Sequence, residues 1–301
     1  MKKSWAKPYI LEKKMKRIIL IIISLVIFCA HSKELKISSL NIRVYGQGGM
    51  YAGTLEDEFR DKWLKEFIEA KLGDSDVIIF QEIMNKESLI NNIVSDMNCV
   101  SYDRSNTIDD NKENHIYVVV CFNKKYQFLK EQSEDNYAYE PMALHKYRPA
   151  VYGVLCENKK KLAHIVGLHL KALPQGHQTR VKQMEILSKR LTEINDGLPI
   201  IVGGDYNTYN TDEIEDYKMI NSYLNPLNLF SANQENLITY KTPLFTGTFD
   251  HFWISQSVYS NSSFTVNGPC NATSSGPRFD DLYFYNQFVS DHCPITLSIQ
   301  L

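Results

Sequence analysis

The sequence predicts a layered α/β fold of two packed sheets with helices outside. Three observations predict it. Eight short, β-branched apolar runs recur along the chain, three stretches of helical periodicity lie among them, and neither an internal repeat nor a low-complexity linker interrupts the pattern. A chain of 301 residues that is 44% hydrophobic and 23% charged can bury a large core, which excludes disordered, collagenous and coiled-coil classes.

The N-terminus stands outside this fold. Lys13, Lys14, Lys16 and Arg17 precede an apolar run from Ile18 to Ala30, too short for a comfortable membrane span. Basic residues, an apolar stretch and then Ala30-His31-Ser32 predict a secretory signal, residues 1–32, cut after Ser32, with Met15 an alternative start. An uncleaved anchor is the competing reading. A lipoprotein site at Cys29 is disfavoured by the bulky Phe28 before it. The expectation is one domain over 33–301, secreted or periplasmic, monomeric, and without stable membrane association after cleavage.

The runs LKISSL (around 36–40), VIIF (77–80), IYVVVCF (116–122), AVYGVLC (150–156), AHIVGL (163–168), PIIVG (199–203), HFWIS (251–255) and PITLSI (294–299) read as strands. Their near-continuous apolar character implies cover on both faces. The first helical stripe is Leu55, Phe59, Trp63 and Phe67, with Leu64, Ile68 and Leu72 beside it. The second is Leu89, Ile90, Ile93, Val94 and Met97. The third is Val181, Met184, Leu187, Leu191 and Ile194, closed by Gly197 and Pro199. All three read as core packing. Segments 103–115 and 129–147 read as surface loops, and 256–289 as loop or edge strand.

Charge and cysteines bound the partners. Residues 1–32 hold seven Lys/Arg and one Glu, so the mature chain keeps 26 basic and 34 acidic residues, a net charge of −8. The net charge disfavours a whole-surface electrostatic grip on nucleic acid, and a polyanionic substrate would need local positive charge or a metal. Cys99, Cys121, Cys156, Cys270 and Cys293 form an odd set, which leaves at least one unpaired. Cys99 and Cys121 flank a predicted hairpin and could face each other. The alternative is five small buried residues.

The chemistry sits at strand ends. Asn41 and Arg43 follow the first strand, Gln81-Glu82 the second, His169 the AHIVGL strand, and Asp205-Tyr206-Asn207 the PIIVGG strand. Asp250-His251 open HFWIS, and Asp291-His292 precede the last strand. Each alone reads as a turn or cap residue. Together, on one rim, they suit metal-assisted hydrolysis. Glu82, Asp205, Asn207, Asn41 and Asp291 offer hard oxygen ligands for Mg²⁺, Mn²⁺ or Ca²⁺, and His169 and His292 offer imidazoles, groups that ordinarily titrate near neutrality. Zinc is disfavoured, since no CxxC or HExxH spacing occurs.

The ordered set LNIR (40–43), QE (81–82), LHLKA (168–172), GGDYN (203–207), FDH (249–251) and SDHCP (290–294) resembles the endonuclease/exonuclease/phosphatase superfamily over nearly all of the mature chain. LNIRVYG (40–46), YRPAVYG (147–153) and IYVVVCFNKK (116–125) are similar to secreted DNase I-like nucleases. The resemblance implies a four-layered α/β/β/α sandwich of DNase I type and hydrolysis of DNA with a divalent metal, Mg²⁺ first and Mn²⁺ or Ca²⁺ as alternatives. It implies Glu82 and Asn41 at the metal, with Asp291 as a further carboxylate there. Asp205 and Asn207 would bind metal or orient nucleophile and phosphate. His169 would be general acid or phosphate clamp, and His292, oriented by Asp250, the general base. Arg43 and Arg148 would grip DNA phosphates. The family's glutamate that orients the first histidine falls at His115 here, with Glu113 two residues away. Lys171, with Arg180 and Gln183, resembles extracellular bacterial nucleases of the superfamily and is a further substrate-binding candidate. Competing functions are a secreted phospholipase C of the sphingomyelinase type, for which 242–249 (TPLFTGTF) is the candidate membrane loop, a phosphatase, and a non-catalytic binding or toxin component.

Overall fold

The computed structural model describes residues 33–47, 54–102, 116–130, 148–194, 196–211, 214–233, 237–271 and 278–301. Residues 1–32, predicted as a signal, residues 131–147, and the 103–115 segment with Glu113 and His115 lie outside them. In chain order the described elements are β1 (Glu34–Tyr45), α1 (Asp57–Leu72), β2 (Val77–Ile83), α2 (Lys86–Ser88), β3 (Met97–Val100), β4 (Tyr117–Asn123), β5 (Tyr126–Lys130), β6 (Val151–Glu157), β7 (Lys160–His169), α3 (His177–Glu193), β8 (Ile200–Asp205), α4 (Asp216–Leu224), β9 (Leu229–Ser231), β10 (Tyr240–Lys241), β11 (Thr246–Gly247), β12 (Asp250–Ser255), α5 (Gln256–Tyr259), β13 (Ser262–Val266), α6 (Leu282–Phe288) and β14 (Ile295–Gln300). No helix among the described residues is long and apolar enough to cross a membrane.

Two mixed six-stranded sheets form, in the orders β13-β14-β1-β2-β4-β3 and β5-β6-β7-β8-β12-β9, with β10 and β11 as a separate ribbon. Within each sheet one pair is parallel, β1 with β2 and β7 with β8. The apolar runs are continuous because both faces of each strand are covered. Ile79, Val118 and Val120 point into the core between the sheets with Ile165, Ile201 and Phe252. Their neighbours Ile78, Phe80 and Val119 point outward against Leu64, Phe67 and Ile68 of α1 and Tyr285 of α6. On the other side Val166, Val202 and Trp253 meet Met184 and Leu187 of α3 and Ile220 and Leu224 of α4. The layers are therefore α/β/β/α, as expected, and all eight predicted strands are present.

Several elements differ from the expectation. In α1 the every-fourth-residue stripe is not the buried one: Leu55 and Phe59 are exposed, and the core face is Leu64, Phe67, Ile68 and Leu72, with Arg60 fully buried among them. The second stripe breaks up, because α2 is followed by a five-residue π-turn, Leu89–Ile93, and Met97 starts β3. Residues 129–130 finish β5 rather than starting a loop. The 256–289 stretch holds α5, the edge strand β13 and the helix α6, whose Asp281 caps the Phe284 amide at 2.8 Å. Its aromatic run Leu282–Phe288 packs onto Trp63 and Phe67 of α1.

Disulfides join Cys99 to Cys121, directly cross-strand in the β3–β4 pair, and Cys270 to Cys293. Cys156 is buried and free. The first is one of the two alternatives the sequence leaves open; spacing alone does not point to the second.

Gly204 in GGD has φ +145°, and a Cβ there would overlap the Leu168 carbonyl oxygen of the paired strand. Gly204→Ala is expected to cost about 2 kcal/mol or more, read as a lower Tm in thermal unfolding, and an unchanged Tm would show that β7 and β8 do not approach this closely.

Candidate active site

The topology explains why distant residues meet. β1 and β2 run parallel, with Asn41 opposite Gln81, so they leave the sheet at one end. β14 is antiparallel to β1, with Ser39 opposite Ile295, so Asp291 and His292 return to that end. In the other sheet parallel β7 and β8 place His169 opposite Asp205, and antiparallel β12 places Asp250 opposite Asp205 on the far side. The two rims touch where Asn41 Nδ2 donates to Asp205 Oδ2 at 3.0 Å.

The strand exits are strained. Both β1 and β2 bulge, and φ is positive at Arg43 (47°), Val44 (52°) and Glu82 (60°). A β-branched or acidic residue there costs energy that the surroundings must hold in place. Glu82 Oε2 accepts the Val44 amide at 3.1 Å, which locks one bulge onto the other. Asn207, at φ 50°, is a residue type that tolerates this region.

Glu82, His169, Asp205, Asn207, Asp250 and His292 are brought together. His292 Nδ1 and Asp250 Oδ2 are 2.9 Å apart, and His292 Nε2 lies 3.9 Å from Asp205 Oδ2. His169 Nε2 lies 3.3 Å from Asp205 Oδ2 and 3.8 Å from Glu82 Oε1. The Asn207 amide donates to Asp205 Oδ1 at 2.8 Å, and its side-chain nitrogen to the Leu170 carbonyl at 3.2 Å. Asn41 accepts the Arg43 amide through its own Oδ1, so it orients Asp205 and Arg43 together. Asp291 is at the mouth, its carboxylate 3.3 Å from Arg43 Nε. Arg148 lies behind His169, donating to the Leu170 carbonyl at 2.7 Å. Lys171 meets Arg180 and Gln183 through its backbone: Gln183 accepts its amide at 2.9 Å, and Arg180 donates to its carbonyl at 2.7 Å.

Sequence reasoning missed the walls. The cavity, about 210 Å³, is lined by Glu82, Asp205, Asn207, Asp291 and His292 and by the rings of Tyr209, Tyr240, Phe245 and Phe249. These rings pack on one another at 5.0 to 5.9 Å, and Tyr240 stands edge-on to His292 at 4.9 Å. Three of them flank or occupy TPLFTGTF, the only signal that could have found them. His251, adjacent to Asp250, is structural: it is buried against Thr208 and Asn233, and burial pushes it down to about 3, so it stays neutral.

The two imidazoles ionise oppositely. Burial, then the charges of Arg148 and His292, hold His169 well below its usual range, so it is neutral. Burial also acts against the His292 imidazolium, yet Asp250, Asp205 and Asp291 together outweigh it and raise His292 to about 10. Burial and the Asp250 charge raise Asp205 to about 7, against the pull of His292. This places excess acid in a small volume. Two groups of donor atoms lie within 4.8 Å of one another, Glu82–His169–Asp205 and Asp205–Asp250–His292. Among the described residues neither ring nitrogen of His169 nor Asp250 Oδ1 has a hydrogen-bond partner. Hard carboxylate oxygens beside unsatisfied buried atoms fit a divalent cation held by Glu82 and Asp205.

No protein-family model and no curated protein matches the sequence. Solved structures do. An endonuclease/exonuclease/phosphatase from Bacteroides vulgatus superposes with a TM-score of 0.62 at 16% identity, covering 89% of this chain and 99% of that one. The chain has the endonuclease/exonuclease/phosphatase fold. The human Nocturnin catalytic domain with bound sulfate anion has a TM-score of 0.61 at 19% identity over 88% of this chain and 94% of its own. D. rerio TDP2 complexed with single strand DNA product has 0.61 at 14% over 89% and 100%. The endonuclease/exonuclease/phosphatase fold is thus shared across nearly the whole described chain, while the sequences have diverged.

In cation-free protein His292 is expected to remain an imidazolium at pH 8, because its proton leaves only as pH rises through about 10. Asp250→Asn should lower that midpoint by about one unit or more. Ring-proton NMR titration in the presence of chelator reads both, and a midpoint near 6.5 in the unaltered protein would contradict the geometry.

Proposed function

We propose that this chain is a secreted, divalent-metal-dependent phosphodiesterase that cuts DNA as a DNase I-like endonuclease with little sequence preference. One observation carries the reading: Glu82, Asp205 and His292 line one cavity, with Asp250 2.9 Å behind His292 and His169 3.3 Å from Asp205. Water placed at phosphorus would lose its proton to neutral His292 Nε2, whose Nδ1 side is held by Asp250. Asp250 stabilises the charge that His292 then carries. His169, neutral and buried, donates a hydrogen bond to the phosphate or the departing ester oxygen, which is the clamp role rather than that of a charged acid. Asn207 and Asn41 orient Asp205. A divalent cation held by Glu82 and Asp205 supplies, when bound, neutralisation of phosphate charge and a lower proton affinity at His292.

Arg43 at the mouth, Arg148 and Lys171 supply local positive charge on a chain whose mature net charge is −8. Phosphate contacts carry no base code, so sequence preference is slight and salt weakens binding. The aromatic wall offers stacking faces to bases, and D. rerio TDP2, which shares the fold, is described with single strand DNA product. Export is supported by the signal-like residues 1–32 and by the two disulfides, which persist in oxidising compartments.

A second reading, the sphingomyelinase-type phospholipase C, is favoured by one observation. Leu244 is 96% exposed and Phe245 48% exposed beside the cavity, a pair placed to touch a lipid surface.

Mature protein with Mg²⁺ should digest plasmid DNA, and EDTA should stop it. His292→Ala should slow digestion by about 10²- to 10⁴-fold. Sphingomyelin hydrolysis run in parallel, with plasmid left intact, would establish the second reading instead.

A further inference from the structure

Arg60 is the one charged side chain of α1 that faces inward, and it is fully buried. Its Nη2 donates to the carbonyls of Ile42 at 2.7 Å and Val289 at 2.9 Å. Its Nη1 lies 3.0 Å from Asp57 Oδ1 and 3.5 Å from the Arg43 carbonyl. The guanidinium also sits 5.8 Å from the Tyr45 ring centre. These partners are not scattered. Ile42 and Arg43 belong to the bulge at which β1 leaves its sheet, and Val289 immediately precedes Ser290-Asp291-His292.

The two segments so tied carry both halves of the cavity mouth, because Arg43 pairs with Asp291 at 3.3 Å. A second tie runs beside it, from Ser290 Oγ to the Asn41 carbonyl at 2.6 Å, and Ser290 Oγ accepts the His292 amide at 3.0 Å. A planar guanidinium can hold several carbonyls in fixed directions at once; a lysine ammonium on a flexible stem cannot hold the same set. Burying an arginine for packing alone would be costly, and a leucine would fill the α1 face with less penalty.

We propose that Arg60 is a positioning residue that fixes Arg43 against Asp291, and through them the phosphate-binding mouth of the cavity. It touches no substrate. The proposal rests on the phosphodiesterase reading for its kinetic consequence but not for its structural one, so it is tested in both ways.

The kinetic arm uses mature protein with Mg²⁺ and a DNA duplex of defined sequence. Arg60→Lys is expected to raise KM about tenfold while kcat stays within about twofold, the size of one lost charge-assisted phosphate contact. Arg43→Ala is expected to do the same, and in the Arg60→Lys background to add less than about twofold, because the two act as one unit. Effects that multiply, or a KM that does not move in Arg60→Lys, overturn the proposal. The structural arm is the crystal structure of Arg60→Lys: the Arg43–Asp291 pair should come apart, and retention of its 3.3 Å spacing overturns the proposal even if the unaltered protein cuts no DNA. Should Arg60→Lys not fold, Asp57→Asn, which keeps the guanidinium but removes its carboxylate partner, takes its place with the same two readings and smaller shifts.

Discussion

Asp205 is a carboxylate with 1% exposure at the point where both sheets end, and the site is arranged around the cost of burying it. An isolated ionised carboxylate in that position would be several kcal/mol out of balance. Here one oxygen takes the Asn207 amide, the other takes the Asn41 side chain, and two imidazoles stand within 4 Å of it. The compensation is incomplete, since Asp250 adds a second buried carboxylate next to it and Asp205 is still pushed up to about 7. A site that over-collects negative charge is unstable as it stands and has a use for a cation. The chemistry proposed for the site rests on that imbalance rather than on any one side chain.

Holding such a site requires rigidity from both sheets. The parallel pairs β1–β2 and β7–β8 send their ends to one rim, and Gly204 permits the close approach of β7 and β8 there. The left-handed backbone at Arg43, Val44 and Glu82 is stored strain, kept by the Glu82–Val44 bond and by Arg60 beneath the bulge. The Cys270–Cys293 disulfide anchors the residue next to His292, and the Tyr285 hydroxyl donates to the His292 carbonyl at 2.7 Å. Buried hydrogen bonds of this kind restrict the site to one arrangement, which suits the base role proposed for His292.

Much of this was legible in the sequence, for identifiable reasons. β-branched runs mark strands wherever both faces are covered, and polar residues that end such runs fall at sheet rims; hence Glu82, His169, Asp205 and His292 stood out. The misses share a cause, which is that one residue type serves two purposes. Tyr209, Tyr240 and Phe249 look like core aromatics until the fold turns them toward a cavity. Arg60 reads as the solvent face of an amphipathic helix, and Phe59 as its core, because periodicity gives the angle between residues but not the zero of the angle. The helix α6 was hidden by the Asn- and Ser-rich segments around its seven residues. The pairing of Cys270 with Cys293 depends on three-dimensional proximity that no spacing encodes.

The central claim is that strand ends from both sheets enclose one cation site at Glu82 and Asp205. Anomalous diffraction from Mn²⁺-soaked crystals tests it most directly. A manganese peak within bonding distance of a Glu82 and an Asp205 oxygen is the result expected. A peak elsewhere, with that position remaining empty at saturating Mn²⁺, would contradict it.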